Sequence, residues 1–223
     1  MTYRGVLFDL DGTLLNTLPD LTFISNKTME EAGYPTHTEE EVKWYIGNGV
    51  ELLFKRSLPK DVDLSEEEYQ ALYAKMRSNY LKYQNRLTRL YEGIQKMLEE
   101  LKEMGVKTAI VTNKMDSAAK EVQEKYFPGL IDYSIGARED LKLKPHPDQG
   151  MAALKELGLK PEECIYVGDS DTDVETGNNL GMPTLAVTWG FRGEEFLREH
   201  GAVHIIDRPE QIVEFIKYTE TLD

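Results

Sequence analysis

Two aspartates one residue apart close the apolar run YRGVLFDLDGT, and that spacing is the first chemistry the chain offers. Val6, Leu7 and Phe8 read as a buried strand that Gly12 ends tightly. Alternation along a strand sends Asp9 and Asp11 to the same side, with Leu10 between them. Two carboxylates so placed repel by roughly 4 kcal/mol at about 4 Å and an effective dielectric near 20, so a cation or a shared proton must join them. Reactive sites supply such partners more often than passive loops do. The ordinary alternative is a pair of Asx turns ahead of a helix.

Polar residues also follow three later apolar runs. Thr112 and Asn113 follow KTAIV, Lys142 and Lys144 lie in LKLKPHPD, and Asp169, Asp171 and Asp173 follow IYVG. A hydroxyl and an amide can donate to phosphate oxygens, although both also serve as helix caps. A lysine before Pro145 suits a fixed positive charge, and the sequence leaves open whether Lys142 or Lys144 points inward. The acidic run from Asp169 looks like the start of a calcium loop of the EF-hand type. That reading fails, because Val174 stands where a glycine is needed and the flanks are strand then helix. Acids, ammonium groups and a hydroxyl in one crevice suit a hard divalent cation and a phosphoryl group.

These residues can meet only if the strands bearing them end on one edge. From about Asn16 to Arg89 the pattern is helical throughout: apolar positions Leu18, Leu21, Ile24 and Met29, then capping boxes at Thr38/Glu41 and Ser65/Glu68. From Leu90 onward helices alternate with strands. Helices are expected over 91–104, 115–126, 148–157, 173–180, 194–200 and 209–218, separated by the strands VKTAIVT, IDYSIGA, ECIYVGD, PTLAVTWG and the short run HII. That alternation predicts right-handed crossovers and a doubly wound parallel α/β sheet covered on both faces, with ligands at the carboxyl ends of its strands. The first strand belongs to this sheet, so residues 16–89 form an inserted all-helical domain and residues 1–15 with 90–223 form the core domain.

The charge balance narrows the partners. Twenty-six Lys and Arg against 40 Asp and Glu give a formal net charge of −14, a field that repels nucleic acid and anionic membranes. A small phosphorylated substrate then needs local compensation by a cation and particular lysines. Cys164 is the only cysteine, so no intrachain disulfide framework is possible, and a buried reduced thiol in a cytoplasmic protein is expected. No apolar run approaches the roughly 18 residues of a membrane span, and the N-terminus lacks a signal-peptide core.

In this order the motifs resemble those of the haloacid dehalogenase superfamily of aspartate-nucleophile phosphotransferases. Its DxDGT stands here as Asp9 to Thr13, its strand-end Ser or Thr as Thr112, its lysine as Lys144, and its GDxxxD as Gly168, Asp169 and Asp173. The resemblance implies a Rossmann-like core with a helical cap inserted after the first motif. It implies Asp9 as the nucleophile forming an aspartyl phosphate and Asp11 as the acid and base. Mg2+ would be held by Asp9, the Asp11 carbonyl and Asp169, with Asp173 a further ligand or a support for the others. Thr112, Asn113 and Lys144 would hold the phosphoryl group.

Within that superfamily Asp11 argues for phosphatases, since the true dehalogenases have no acid there. The turn in WYIGNGVE and the run VTNK at 111–114 resemble the phosphoglycolate phosphatase group. Gly47, Asn48 and Gly49 serve equally as a helix-to-helix turn in left-handed conformations. The cap is expected to act as a lid, with Lys43, Lys55 and Arg56 either contacting a substrate carboxylate or standing as solvated charges. Phosphoglycolate is the first substrate to try, ahead of pyrophosphate and nucleoside monophosphates. The rivals are a sugar phosphomutase and a phosphate-binding regulatory module without turnover. Whether the chain is a monomer or a homodimer is left open.

Overall fold

The computed structural model describes residues 3–220. In chain order its elements are β1 (Gly5–Phe8), β2 (Leu15–Asn16), α1 (Leu18–Glu31), α2 (Glu39–Tyr45), α3 (Val50–Ser57), α4 (Glu66–Tyr83) and β3 (Arg89–Leu90). Then come α5 (Ile94–Glu103), β4 (Lys107–Met115), α6 (Asp116–Tyr126), β5 (Tyr133–Ala137), α7 (Asp148–Leu157), β6 (Cys164–Gly168) and α8 (Asp171–Leu180). β7 (Thr184–Val187), α9 (Glu194–Glu199), β8 (His204–Ile206) and α10 (Glu210–Glu220) complete the described chain. Two compact units result, one from residues 3–16 and 90–220, the other from Thr17–Arg89.

The first unit holds the doubly wound parallel sheet, in the order β5-β4-β1-β6-β7-β8. β4 and β5 extend it on one side of β1, and β6, β7 and β8 on the other, so the order reverses beside β1 and opens a crevice at the carboxyl ends. Alternation along the strands feeds two cores. Val6, Phe8, Ile110, Ile165 and Val167 pack with α5 and α10, whereas Leu7, Ala109, Val111 and Tyr166 pack with α7. Each apolar side chain fully buried here contributes about 1.5–3 kcal/mol, which offsets the cost of ordering a strand with no polar face.

β4 departs from the expected pattern. It runs through Thr112 and Asn113 to Met115, and α6 begins only at Asp116, so neither residue caps that helix. Between the pairs Val111↔Ile135 and Met115↔Ala137, residues 112–114 stand opposite Gly136 alone. This irregularity re-aims consecutive side chains at the strand's end. α5 starts at Ile94 rather than Tyr91, because Gly93 takes a left-handed conformation (φ 85°) ahead of it.

In the helical unit, Leu21, Ile24, Met29, Val42, Leu53, Phe54, Met76 and Tyr80 are buried. Both capping boxes form, at Thr38/Glu41 and Ser65/Glu68. α2 ends at Tyr45; Gly47 and Gly49 have positive φ, as a tight helix-to-helix turn requires, while Asn48 does not. Asp20 in the first turn of α1 is buried, and its carboxylate accepts from the Leu87 and Thr88 N–H groups and the Thr88 hydroxyl at 2.7–3.0 Å. That contact ties the two ends of the unit together. Lys55 pairs with Glu51 at 2.7 Å, Arg56 donates to the Tyr45 carbonyl, and Lys43 lies 4.0 Å from Glu40.

Candidate active site

Asp9 emerges at the end of β1, held by its N–H donating to the Val167 carbonyl of β6 at 2.8 Å. Its carboxylate is nearly buried. Lys144, from the loop after β5, reaches it: Nζ lies 2.7 Å from Asp9 Oδ1 and 2.8 Å from Asp173 Oδ1, and donates to the Tyr166 hydroxyl at 3.2 Å. The residue is only 4% exposed, and an ammonium taken from water costs several kcal/mol unless such partners meet it. Lys142 is exposed, so the inward lysine is Lys144.

Asn113, which the sequence reading assigns to the phosphoryl group, has its carboxamide bonded elsewhere. Oδ1 accepts from Lys144 N at 2.8 Å and Nδ2 donates to Lys144 O at 3.1 Å, which fixes the backbone that carries the inward ammonium. Thr112 is buried beside it, its carbonyl accepting from Gln149 and its hydroxyl from Lys114 N.

The other wall of the crevice comes from β6 and the start of α8. Asp169 accepts from the Thr13 hydroxyl at 3.1 Å and from Phe191 N at 2.7 Å. Thr13 is itself anchored, since its carbonyl accepts from Trp189 Nε1 at 2.9 Å. Gly12 (φ 93°) lets this turn approach closely, because a Cβ there would run into the Asp169 carboxylate. Asp173 is fully buried with both oxygens engaged. Oδ1 meets Lys144, and Oδ2 accepts from the Ser170 hydroxyl at 2.6 Å and from the N–H groups of Ser170 and Asp169 at 3.1 and 3.2 Å. This is also the capping box of α8, so one carboxylate both starts the helix and supports the lysine. Asp171 sits in the helix's first turn, partly exposed. Asp11 pairs with a different cation: Lys114 Nζ donates to its two oxygens at 3.0 and 3.2 Å.

The crowding shows in the titration of these groups. Burial, followed by the charge of Asp173, pushes Asp9 up to about 7 against the pull of Lys144. Asp169 is raised well above the usual carboxylate range, first by burial and then by Asp173 and Asp9. For Lys144, burial would lower the value, but Asp173 and Asp9 outweigh it and hold the ammonium charged. Four acids, Asp9, Asp11, Asp169 and Asp173, thus share two ammonium groups, and a divalent cation would neutralise the excess. Carboxylate oxygens of Asp9, Asp169 and Asp173 lie within 4.8 Å of one another, an all-oxygen set that suits a hard ion. Because Lys144 and N–H groups occupy Asp173, Asp9 and Asp169 are the acids with capacity to spare for a cation.

Asp9, Lys144, Asp169 and Asp173 therefore meet at one rim, with Asp11 paired to Lys114 and Thr112 buried in β4 next to Asn113. The sequence reading missed Lys114, Tyr166, Ser170 and the Trp189–Phe191 loop. Tyr166 had a signal, a hydroxyl-bearing residue inside the otherwise apolar CIYVG, and TWGFRG follows a fifth strand end of the same edge.

Comparison with known proteins points the same way. Residues 6–187 match the haloacid dehalogenase-like hydrolases. The phosphoglycolate phosphatase of Aquifex aeolicus is 34% identical over 189 residues, 84% of this chain and 86% of that protein. The phosphoglycolate phosphatase of Vibrio parahaemolyticus is 30% identical over 218 residues, 95% of each chain. A crystal structure of a predicted phosphoglycolate phosphatase from Haemophilus somnus superposes with a TM-score of 0.89 at 27% identity, covering 96% of this chain and 98% of that one.

Proposed function

The chain belongs to the haloacid dehalogenase-like hydrolases, and on that footing we propose that it is a magnesium-dependent phosphatase acting on a small phosphate monoester, with phosphoglycolate the leading substrate. The observation that carries this reading is the buried Asp9–Lys144–Asp173 bridge with Asp169 alongside. A nucleophilic carboxylate, a fixed cation and spare acids for a metal ion converge there. Mg2+ held by Asp9 and Asp169 would supply positive charge that draws the phosphoryl oxygens in and offsets the crowded acids.

Asp9 would attack phosphorus, forming the aspartyl phosphate as the bond to the substrate oxygen breaks, and Asp11 would give that oxygen its proton. Asp11 would then take a proton from water, whose oxygen attacks phosphorus and frees Asp9 and inorganic phosphate. Lys144 would hold the Asp9 carboxylate oriented and balance charge on the phosphoryl oxygens, with the Thr112 hydroxyl donating to them. Asp173 supports this arrangement by fixing Lys144. Asn113 would act through its hold on the Lys144 backbone.

The proposed division is a core from residues 1–15 and 90–223 with a helical cap over 16–89, a reading supported by the compact unit Thr17–Arg89. Among the described residues no helix is long and apolar enough to cross a membrane. A cytoplasmic location fits the one cysteine, Cys164, whose thiol burial pushes up to about 12. The test is a phosphate-release screen over phosphoglycolate, pyrophosphate, nucleoside monophosphates and hexose phosphates, with and without magnesium. Magnesium-dependent release, fastest from phosphoglycolate, is expected. Isomerised hexose phosphate without free phosphate, or no turnover of any ester, would overturn the reading.

A further inference from the structure

Lys114 is a buried lysine to which the sequence motifs assign no role, and its placement is built rather than incidental. Its side chain is 3% exposed, and the ammonium reaches both oxygens of Asp11. The backbone beneath it is constrained as well. Lys114 lies in the irregular stretch of β4 that faces Gly136, where a Cβ would collide with the Lys114 carbonyl. Asp116, two residues along the chain, accepts from Gly136 N at 3.0 Å and pins the same stretch to β5. Burying an ammonium is costly, and Asp11, the residue proposed above as acid and base, helps to meet that cost.

We infer that Lys114 is the positioning residue for Asp11, holding its carboxyl group aimed at the leaving oxygen of the substrate. The inference rests on the proposed phosphatase reading. Because Nζ reaches both oxygens, it keeps its hold through one of them while the other carries the proton to be donated. The two lysines thus divide the work: Lys144 fixes the nucleophile and Lys114 fixes the acid. Without Lys114 the Asp11 side chain is free to take other rotamers, and misplacing a reacting group by about 1 Å costs on the order of 100-fold.

Leaving-group dependence separates this role from a structural one. An alkyl ester such as phosphoglycolate needs its departing oxygen protonated, whereas p-nitrophenyl phosphate releases a stable phenolate and does not. The value of kcat/KM reports only the steps through that departure. Lys114→Met should lose about 100-fold on phosphoglycolate and less than about 5-fold on p-nitrophenyl phosphate, within the range assigned to acid catalysis. Asp11→Asn should show the same split, and Lys114→Met combined with Asp11→Asn should be no worse than Asp11→Asn alone. Lys114→Arg should recover most of the loss on phosphoglycolate. If Lys114→Met does not fold, Lys114→Gln, which keeps a polar donor, is read in the same way.

Equal losses on the two esters, as for a lysine that contacts phosphate directly, would overturn the inference. So would additive losses in the double variant. If Asp11→Asn itself falls equally on both esters, the acid assignment fails and takes this inference with it. A split in Asp11→Asn without one in Lys114→Met refutes the positioning role alone.

Discussion

Replacing Lys144 with methionine removes the one cation from between Asp9 and Asp173 while nearly keeping its volume. At 2.7 and 2.8 Å and an effective dielectric near 20, each contact is worth roughly 6 kcal/mol of gross attraction, set against several kcal/mol for desolvating each ion. Breaking such a buried arrangement from one side costs about 3–5 kcal/mol. For a unit of this size that lowers the unfolding temperature by roughly 6–20 °C. The deficit should depend on pH. Lys144 is what pulls Asp9 down toward about 7, so without it the folded-state value climbs further above the unfolded one. A carboxyl group raised in this way contributes stability that is present below its unfolded value, about 3.9, and lost as pH rises through the folded value. The gap between variant and parent should therefore be widest above pH 7 and narrower at pH 5. Calorimetry of magnesium-free protein at pH 5, 7 and 8 measures it. A variant melting within 2 °C of the parent at pH 8, or a gap that closes as pH rises, would refute the electrostatic account.

Asp9→Asn should reduce phosphate release by at least about a thousandfold, because an amide cannot serve as the nucleophile; retained turnover would exclude the covalent route. Lys144→Ala should abolish activity, whereas Lys142→Ala, at an exposed position, should change kcat/KM less than about twofold. Since Asp9 and Asp169 are both raised, the metal-free protein should lose stability as pH rises from 5 to 8, and saturating magnesium should raise the melting temperature more at pH 8 than at pH 6. Asp20→Ala strands the Leu87 and Thr88 N–H groups and should destabilise the helical unit by about 2–4 kcal/mol, read from amide exchange within residues 17–89.

The sheet and the acids at its rim were legible because their signals are local. An apolar run ending in Asp-Leu-Asp-Gly declares a strand and its end without reference to anything else, and the same holds for IYVG before Asp169. The capping boxes at Thr38 and Ser65 were readable for the same reason, each needing only four consecutive residues. What was not legible depends on pairing between distant segments. Nothing near Lys114 announces that β4 slips register against β5 there, or that its ammonium meets Asp11, more than a hundred positions back. The choice between Lys142 and Lys144 likewise turns on Asn113, thirty-one positions away, gripping the backbone of one of them. Asp173 reads by resemblance as a further metal ligand or a support for the others, and only its contacts reveal how much of it is committed to Lys144 and to the first turn of α8.

The strand that carries Asp9 emerges from the ribosome well before either of its neighbours. Gly5 pairs with Lys107 on one side and with Cys164 on the other, so a short, wholly apolar segment must wait through most of synthesis for both partners. Such long-range parallel closure is slow and leaves sticky intermediates exposed, which makes the nascent chain a natural client for chaperones. It also means that no partly folded form lacking β6 can hold Asp9 in place. Catalytic competence should appear only at the final, most cooperative stage of folding, as a sharp onset rather than a gradual gain.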